Sequence, residues 1–304
     1  MPLPIWTVSV DVGIDPDLCD LADPDRVAYW LEAARSGRVA FVLGGPPCET
    51  WSVARWNEGA RTGVDGPRAM RSRQMLWGLG DLTAAEYSQV TLGNALLRTM
   101  LLFVAAARVY DFATVMEHPQ EPFHAPLAPS VWRLPETSEL CKDALVERVH
   151  VDQCTLGAAW KKPTCLLASG FPELAGLVRR LPGGGRCHPG LGHTHQVLRG
   201  RATDGSYRTA PAKTYGDALC RLLAQAAMAA AERLLRPHVG VRPSERPLPD
   251  EMLGLYMHLD RYTPPDPPDH WAHDCARAMV AGGGRARQRL ARSLVRGLAE
   301  AHSG

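Results

Sequence analysis

The 304-residue sequence predicts a three-layer α/β fold over residues 1–235. Two observations carry the prediction. Short apolar runs that suit buried strands alternate with longer runs of helical apolar spacing, the pattern of an α/β fold. In addition, the first two such strands run into turn-forming breaks, Gly44-Gly45-Pro46-Pro47 and Glu117-His118-Pro119. Open α/β sheets place their ligands at that end of a strand.

The first helix is predicted over Pro24–Arg35. Asp23 can cap it, Pro24 suits its first turn, and Val27, Trp30, Leu31 and Ala34 make an apolar stripe that Gly37 ends. Residues 39–43 are wholly apolar, as expected in the middle of a parallel sheet, and Cys48 follows in the loop beyond. From 56 to 80 the chain is polar and rich in Arg and Gly, a long loop with one turn of helix expected around 68–75. Ala84–Tyr110 is the clearest helix, with Leu92, Leu96, Met100 and Phe103 on one side, and residues 112–116 are the next strand. Residues 146–151 and 164–168 suit two further strands paired through a turn near Gly157. A short helix over 171–180, an irregular Cys/His-containing insert over 181–209 and a helix over 215–235 complete the domain. Eight prolines between Pro237 and Pro268 mark an extension over 236–270, and a basic helical tail is expected over 271–304.

At 45% hydrophobic and 22% charged, the composition is that of a soluble globular chain. No apolar run reads as long enough to span a bilayer; residues 96–107 come nearest. The start, Met-Pro-Leu-Pro-Ile-Trp, has neither a basic block nor a signal-like apolar block. The expectation is an intracellular protein with no membrane, in nucleus or cytoplasm without a choice between them. Net charge is +2, but Arg277, Arg285, Arg287, Arg289, Arg292 and Arg296 crowd the tail. That patch would suit phosphate contacts, and it would equally suit a solvated basic helix. Eight cysteines without a CxxC pair are too sparse for a disulfide scaffold, which predicts reduced thiols, one reactive and a few available to a metal.

The string Leu43-Gly44-Gly45-Pro46-Pro47-Cys48-Glu49-Thr50-Trp51-Ser52 resembles the Pro-Cys loop of cytosine-5 DNA methyltransferases, with Glu49 where the family has Gln and the aromatic–Ser pair displaced by one residue. The chemistry explains such a loop. Carbon 5 of cytosine becomes nucleophilic once a thiolate adds at carbon 6, and the prolines hold the cysteine in place for that addition. Glu117, one long helix further on, lies where the family has the acidic residue that contacts the cytosine ring nitrogen and amino group. Thr155-Leu156-Gly157 through Lys161-Lys162-Pro163-Thr164 resembles the divergent phage- and mobile-element-like branch, which gives Lys162 an electrostatic role at the base. The resemblance also gives Asp20 the cofactor adenine, Asp11 the ribose at the end of a short N-terminal strand, and Pro46 a place beside the cofactor. It covers about residues 5–235 and implies a Rossmann-like class I methyltransferase fold, S-adenosylmethionine as cofactor and DNA as partner, with the target base flipped out.

One family feature has no convincing counterpart. The glycine loop that wraps the methionine part of S-adenosylmethionine would lie upstream of Cys48, and Val12-Gly13-Ile14 is a poor version. The expectation is a domain truncated at its N-terminus that lacks the first strand and this loop, with a protein partner able to supply the piece. The Cys/His group Cys187, His193 and His195, with Cys154, Cys165 or His188 as a fourth donor, suits zinc, and equally a polar loop of locally bonded histidines. Three functions follow. They are methyl transfer to carbon 5 of cytosine in DNA, DNA binding by an inactive relative, and a zinc-stabilised interaction protein.

Overall fold

The structure is a computed structural model and describes residues 7–56, 67–198 and 200–234. The proline-rich extension, the basic tail and Cys275 lie outside the described residues, as do residues 57–66 of the polar stretch.

Helix α1, Pro24–Arg35, forms as its capping signals predict. The Asp23 carboxylate accepts from the Asp25 amide, and Val27, Ala33 and Ala34 face inward. Strand β1, Phe41–Gly44, follows. Helix α2, Ala84–Tyr110, starts with a capping box in which Thr83 and Glu86 satisfy each other's backbone amides, and it ends at Asp111 in a left-handed conformation. Helix α2 is long and apolar enough to cross a membrane, which residues 96–107 alone are not, but 72% of its most apolar stretch is buried inside the protein, as in a core helix. It carries the chain back to strand β2, Ala113–Pro119, which lies parallel to β1 with Phe41 opposite Ala113 and Gly44 opposite Met116.

Beyond the short helix α3, Pro135–Leu140, strands β3, Val146–Asp152, and β4, Pro163–Ser169, pair antiparallel. Strand β4 then inserts itself between β3 and β2, giving a four-stranded mixed sheet of order β1-β2-β4-β3. Helix α4, Pro172–Arg179, and helix α5, Asp217–Leu234, complete the fold.

Alternation along the strands sends side chains to two cores. Met116, Val146, Cys165 and Leu167 pack with α1, α2 and α3 on one face. Ala113, Val115, Val149, Val151, Leu166 and Ala168 pack with α4 and α5 on the other. The protein is therefore a mixed α/β fold with helices on both faces of one sheet.

Several expectations change. Strand β1 is at an edge of the sheet among the described residues, with Leu43 41% exposed, so it is not the mid-sheet strand its apolar run suggested. Strand β2 does not break before Glu117. Glu117 and His118 stay in the strand because β4 pairs with them, opposite Leu166 and Cys165. No strand forms over residues 7–11, and residues 68–75 make no helix. Leu92, expected on the apolar side of α2, is exposed.

Candidate functional site

The Cys48 loop is held from both sides. A Cβ on Gly44 would collide with the Met100 sulfur, and one on Gly45 would collide with the Tyr215 hydroxyl. Only residues without a side chain let the strand end pass between α2 and the segment leading into α5. Pro46 is buried, and the Trp51 amide donates to the Cys48 carbonyl at 3.0 Å, closing a turn.

Behind this turn lies Arg71, fully buried. It donates to Thr50 Oγ1 at 2.9 Å, Asn94 Oδ1 at 2.7 Å and the Leu76 and Val90 carbonyls, and its guanidinium stacks 4.0 Å from the Trp51 ring. Burial pulls it down to about 9, so it is still charged at neutral pH. This cation pins the far half of the Pro-Cys loop to α2.

Because β4 runs antiparallel to β2, its first residues lie at the carboxyl ends of β1 and β2. That geometry brings Lys162 to Glu117. Lys162 Nζ is 3.5 Å from Glu117 Oε1, and both side chains are largely buried. Tyr215 donates its hydroxyl to Glu117 Oε2 at 3.0 Å. Oε1 has no hydrogen-bond partner, so it can take a donor from a ligand while the lysine balances its charge.

The Cys48 thiol belongs to the same group. Burial pushes it up, Lys162 pulls it down, and Glu117 and Glu49 push it up again. Lys213, 3.4 Å from Glu49, offsets the last of these. Burial and the neighbouring Glu117 carboxylate push the Tyr215 hydroxyl up, so it serves as a proton donor. Cys48, Glu117 and Lys162, expected from three separate strings, thus come together, and Tyr215 joins them.

The proposed cofactor residues behave differently. Asp11 is exposed and accepts from the Gly13 amide at 2.7 Å within its own turn. Asp20 accepts from the Ala22 amide at 3.0 Å, and Thr99 Oγ1 fastens the adjoining Leu21 carbonyl to α2. These are local caps. Among the described residues, neither carboxylate meets Cys48, Glu117 or Lys162. Asp11 and Asp20 are each engaged by a backbone amide of their own turn, which offers no support for S-adenosylmethionine.

The Cys/His group does assemble. Cys187 Sγ lies 3.6 Å from His193 Nε2 and 3.5 Å from His195 Nε2, and the two imidazole nitrogens are 3.0 Å apart. Cys154 is the fourth member, all four donor atoms lying within 4.8 Å of one another, so these residues could hold a metal ion. Cys165 is buried in the core around α2, and His188 is exposed beside Gly183 and Gly190. Burial, then the Cys187 thiol, push Cys154 up to about 11. A cation reverses that preference.

Three participants were missed by the sequence reading. The sequence places Tyr215 at the start of a helix, whereas α5 begins at Asp217. Arg71 was one arginine among many in a polar stretch, and Asp152, buried beside Cys187, carried no motif at all. No protein-family model, curated protein or solved structure matches the chain, so its function rests on the geometry of these two centres.

Proposed function

We propose that the protein acts on cytosine in DNA as a cytosine-5 methyltransferase, this chain carrying the base side of the site. The convergence of Cys48, Glu117 and Lys162 at one end of the sheet is the observation that supports it. In this reading the Cys48 sulfur bonds to carbon 6 of a flipped-out cytosine as its thiol proton passes to the Glu117 carboxylate and on to ring nitrogen 3, where the ring takes up the electron pair. Lys162 balances the carboxylate charge, and Tyr215 fixes the carboxyl plane. Carbon 5 is then enamine-like and ready for a methyl group. The groups that bind the methyl donor would lie beyond Asp11, Asp20 and Pro46, in further chain or in a protein partner.

The parallel β1–α2–β2 unit, with Cys48 and Glu117 at its carboxyl ends, supports a Rossmann-like methyltransferase architecture. Arg201, Arg208 and Lys213 support a nucleic-acid partner. The first two are exposed on the small hairpin of Tyr207, whose hydroxyl lies within electrostatic range of Arg55 behind the Cys48 loop. Zinc is the ion that two thiols and two imidazoles suit best, and we read it as the occupant of the Cys/His group. A second reading, a relative that binds DNA without methylating it, draws on the poor fit of the cofactor acids.

The test is an oligodeoxynucleotide carrying 5-azacytosine, whose ring nitrogen at position 5 makes carbon 6 more electrophilic. A denaturant-stable adduct with the wild-type protein, absent from Cys48→Ser, is expected. Equal adduct in Cys48→Ser, or none with the wild type under conditions where it binds the DNA, would favour the second reading.

A further inference from the structure

We propose that the ion held by Cys154, Cys187, His193 and His195 is a closed structural centre that locks the β3–β4 turn, and with it Lys162, and that Asp152 is its positioning residue. This rests on the zinc reading of the Cys/His group and is independent of methyl transfer.

The donor set is complete. A tetrahedral zinc with bonds of about 2.0–2.1 Å to nitrogen and about 2.3 Å to sulfur separates its ligand atoms by about 3.3–3.8 Å. The Cys187–His193 and Cys187–His195 separations of 3.6 and 3.5 Å fall on that tetrahedron, and the His193–His195 separation of 3.0 Å is a little short of it. Cys154 is the fourth donor, within 4.8 Å of the others and so set wider than that tetrahedron; once it closes on the ion no position is left for water or substrate, which is the mark of a structural site.

The four ligands join two segments far apart in sequence. Cys154 sits in the helical turn Gln153–Leu156 that leaves β3, and the others flank the turn Pro189–Leu191. Around them the wiring leads to Lys162. The Gln153 amide donates to the Lys162 carbonyl at 3.2 Å, and Thr164 Oγ1 donates to the same carbonyl. Gln196 donates its amide to Ala159 at 2.8 Å, so the segment beyond the histidines closes back on the same turn. Arg186 reaches Gln120, just past the end of β2, at 2.7 Å. The ion therefore joins at one point what Lys162 and Glu117 need at another.

Asp152 stands behind the ligands. It is 2% exposed, and its Oδ2 accepts the Cys187 amide at 2.8 Å with Lys161 3.9 Å away. Its Oδ1 is buried without a partner. The hydrogen bond fixes the backbone from which Cys187 presents its sulfur, the usual work of an outer-shell group.

The experiment uses the full chain. Zinc per chain is measured by mass spectrometry after purification without chelator, and cobalt(II) uptake by its visible spectrum, for wild type, Cys154→Ser, Asp152→Asn and the control Cys220→Ser, whose thiol is exposed on α5. One zinc per chain and a tetrahedral two-thiolate cobalt spectrum are expected for wild type and Cys220→Ser. Cys154→Ser should lose about half the thiolate charge-transfer intensity and most of the zinc. Asp152→Asn should keep the spectrum but bind about 10- to 100-fold more weakly, with the metal-free forms of Asp152→Asn and wild type melting together. Chelation of wild type should speed amide exchange at Gln153 and Gln196.

Full zinc and an unchanged spectrum in Cys154→Ser overturn the closed centre while leaving the zinc reading intact. Unchanged affinity in Asp152→Asn overturns its role, and unchanged exchange on chelation overturns the lock. Wild type that takes up neither metal overturns the zinc reading itself, and the proposal with it.

Discussion

His118 makes a sharp stability prediction. The ring is 2% exposed and packs edge-on between Trp51 and Trp132, and neither nitrogen has a hydrogen-bond partner. Burial pushes it from 6.5 down to about 3, with the Lys162 and Arg71 charges adding to the effect. The Pro119 carbonyl opposes it, without reaching hydrogen-bond geometry. Below pH 6.5 the unfolded chain takes up a proton that the folded ring refuses until about pH 3, so the unfolded state binds more protons and stability falls with pH. Each pH unit in that window costs about 1.4 kcal/mol, to a ceiling of about 5 kcal/mol. His118→Phe keeps the edge-on packing and removes the proton. At pH 7 its stability should lie within about 1 kcal/mol of wild type, because it deletes polar atoms that had no partners. At pH 5 the wild type should have lost about 2 kcal/mol more than the variant. Urea denaturation of both at pH 7, 6 and 5 measures the difference. Parallel pH curves, or a loss above about 2 kcal/mol at pH 7, would refute the argument.

Cys48 should respond in opposite directions to its two neighbours. Lys162→Met raises the thiol further and slows iodoacetamide alkylation at pH 8, whereas Glu117→Gln lowers it and speeds alkylation, as mass spectrometry of the Cys48 peptide would show. Gly45→Ala drives a methyl group into the Tyr215 hydroxyl and should cost about 1–3 kcal/mol in thermal or chemical unfolding. Adding Tyr215→Phe should recover part of that loss, since the clashing oxygen is gone. Arg71→Met leaves Thr50, Asn94 and the Leu76 and Val90 carbonyls without their donor and should cost about 3 kcal/mol or more. The aliphatic variant also loses the stack on Trp51, so protease cleavage near Ser52 should quicken.

What the sequence discloses here is what is local. Helices α1 and α2 carry their own caps, at Asp23 and Thr83, and form where those residues say. Cys48 could be found because it follows a strand with its own turn chemistry, and Glu117 because it lies near the carboxyl end of the next strand. The extension of β2 through His118 could not, because it depends on β4, whose pairing residues lie some fifty positions away. Tyr215 reaches Glu117 across 98 positions and gives no periodic signal. Arg71 reads as solvated because arginine usually is, and only its partners on α2 and in the Cys48 loop make its burial possible.

The order β1-β2-β4-β3 also has a consequence in time. Strand β4 is made last and belongs between two strands made earlier, both of which need it as their antiparallel partner. On a ribosome adding about 5–20 residues per second, β2 therefore waits about 2–9 s after Pro119 before Pro163 follows. During that interval Glu117 and His118 have no partner strand to hold them. Lys162 arrives with β4 itself, so the nascent chain cannot bring Cys48, Glu117 and Lys162 together before the sheet closes.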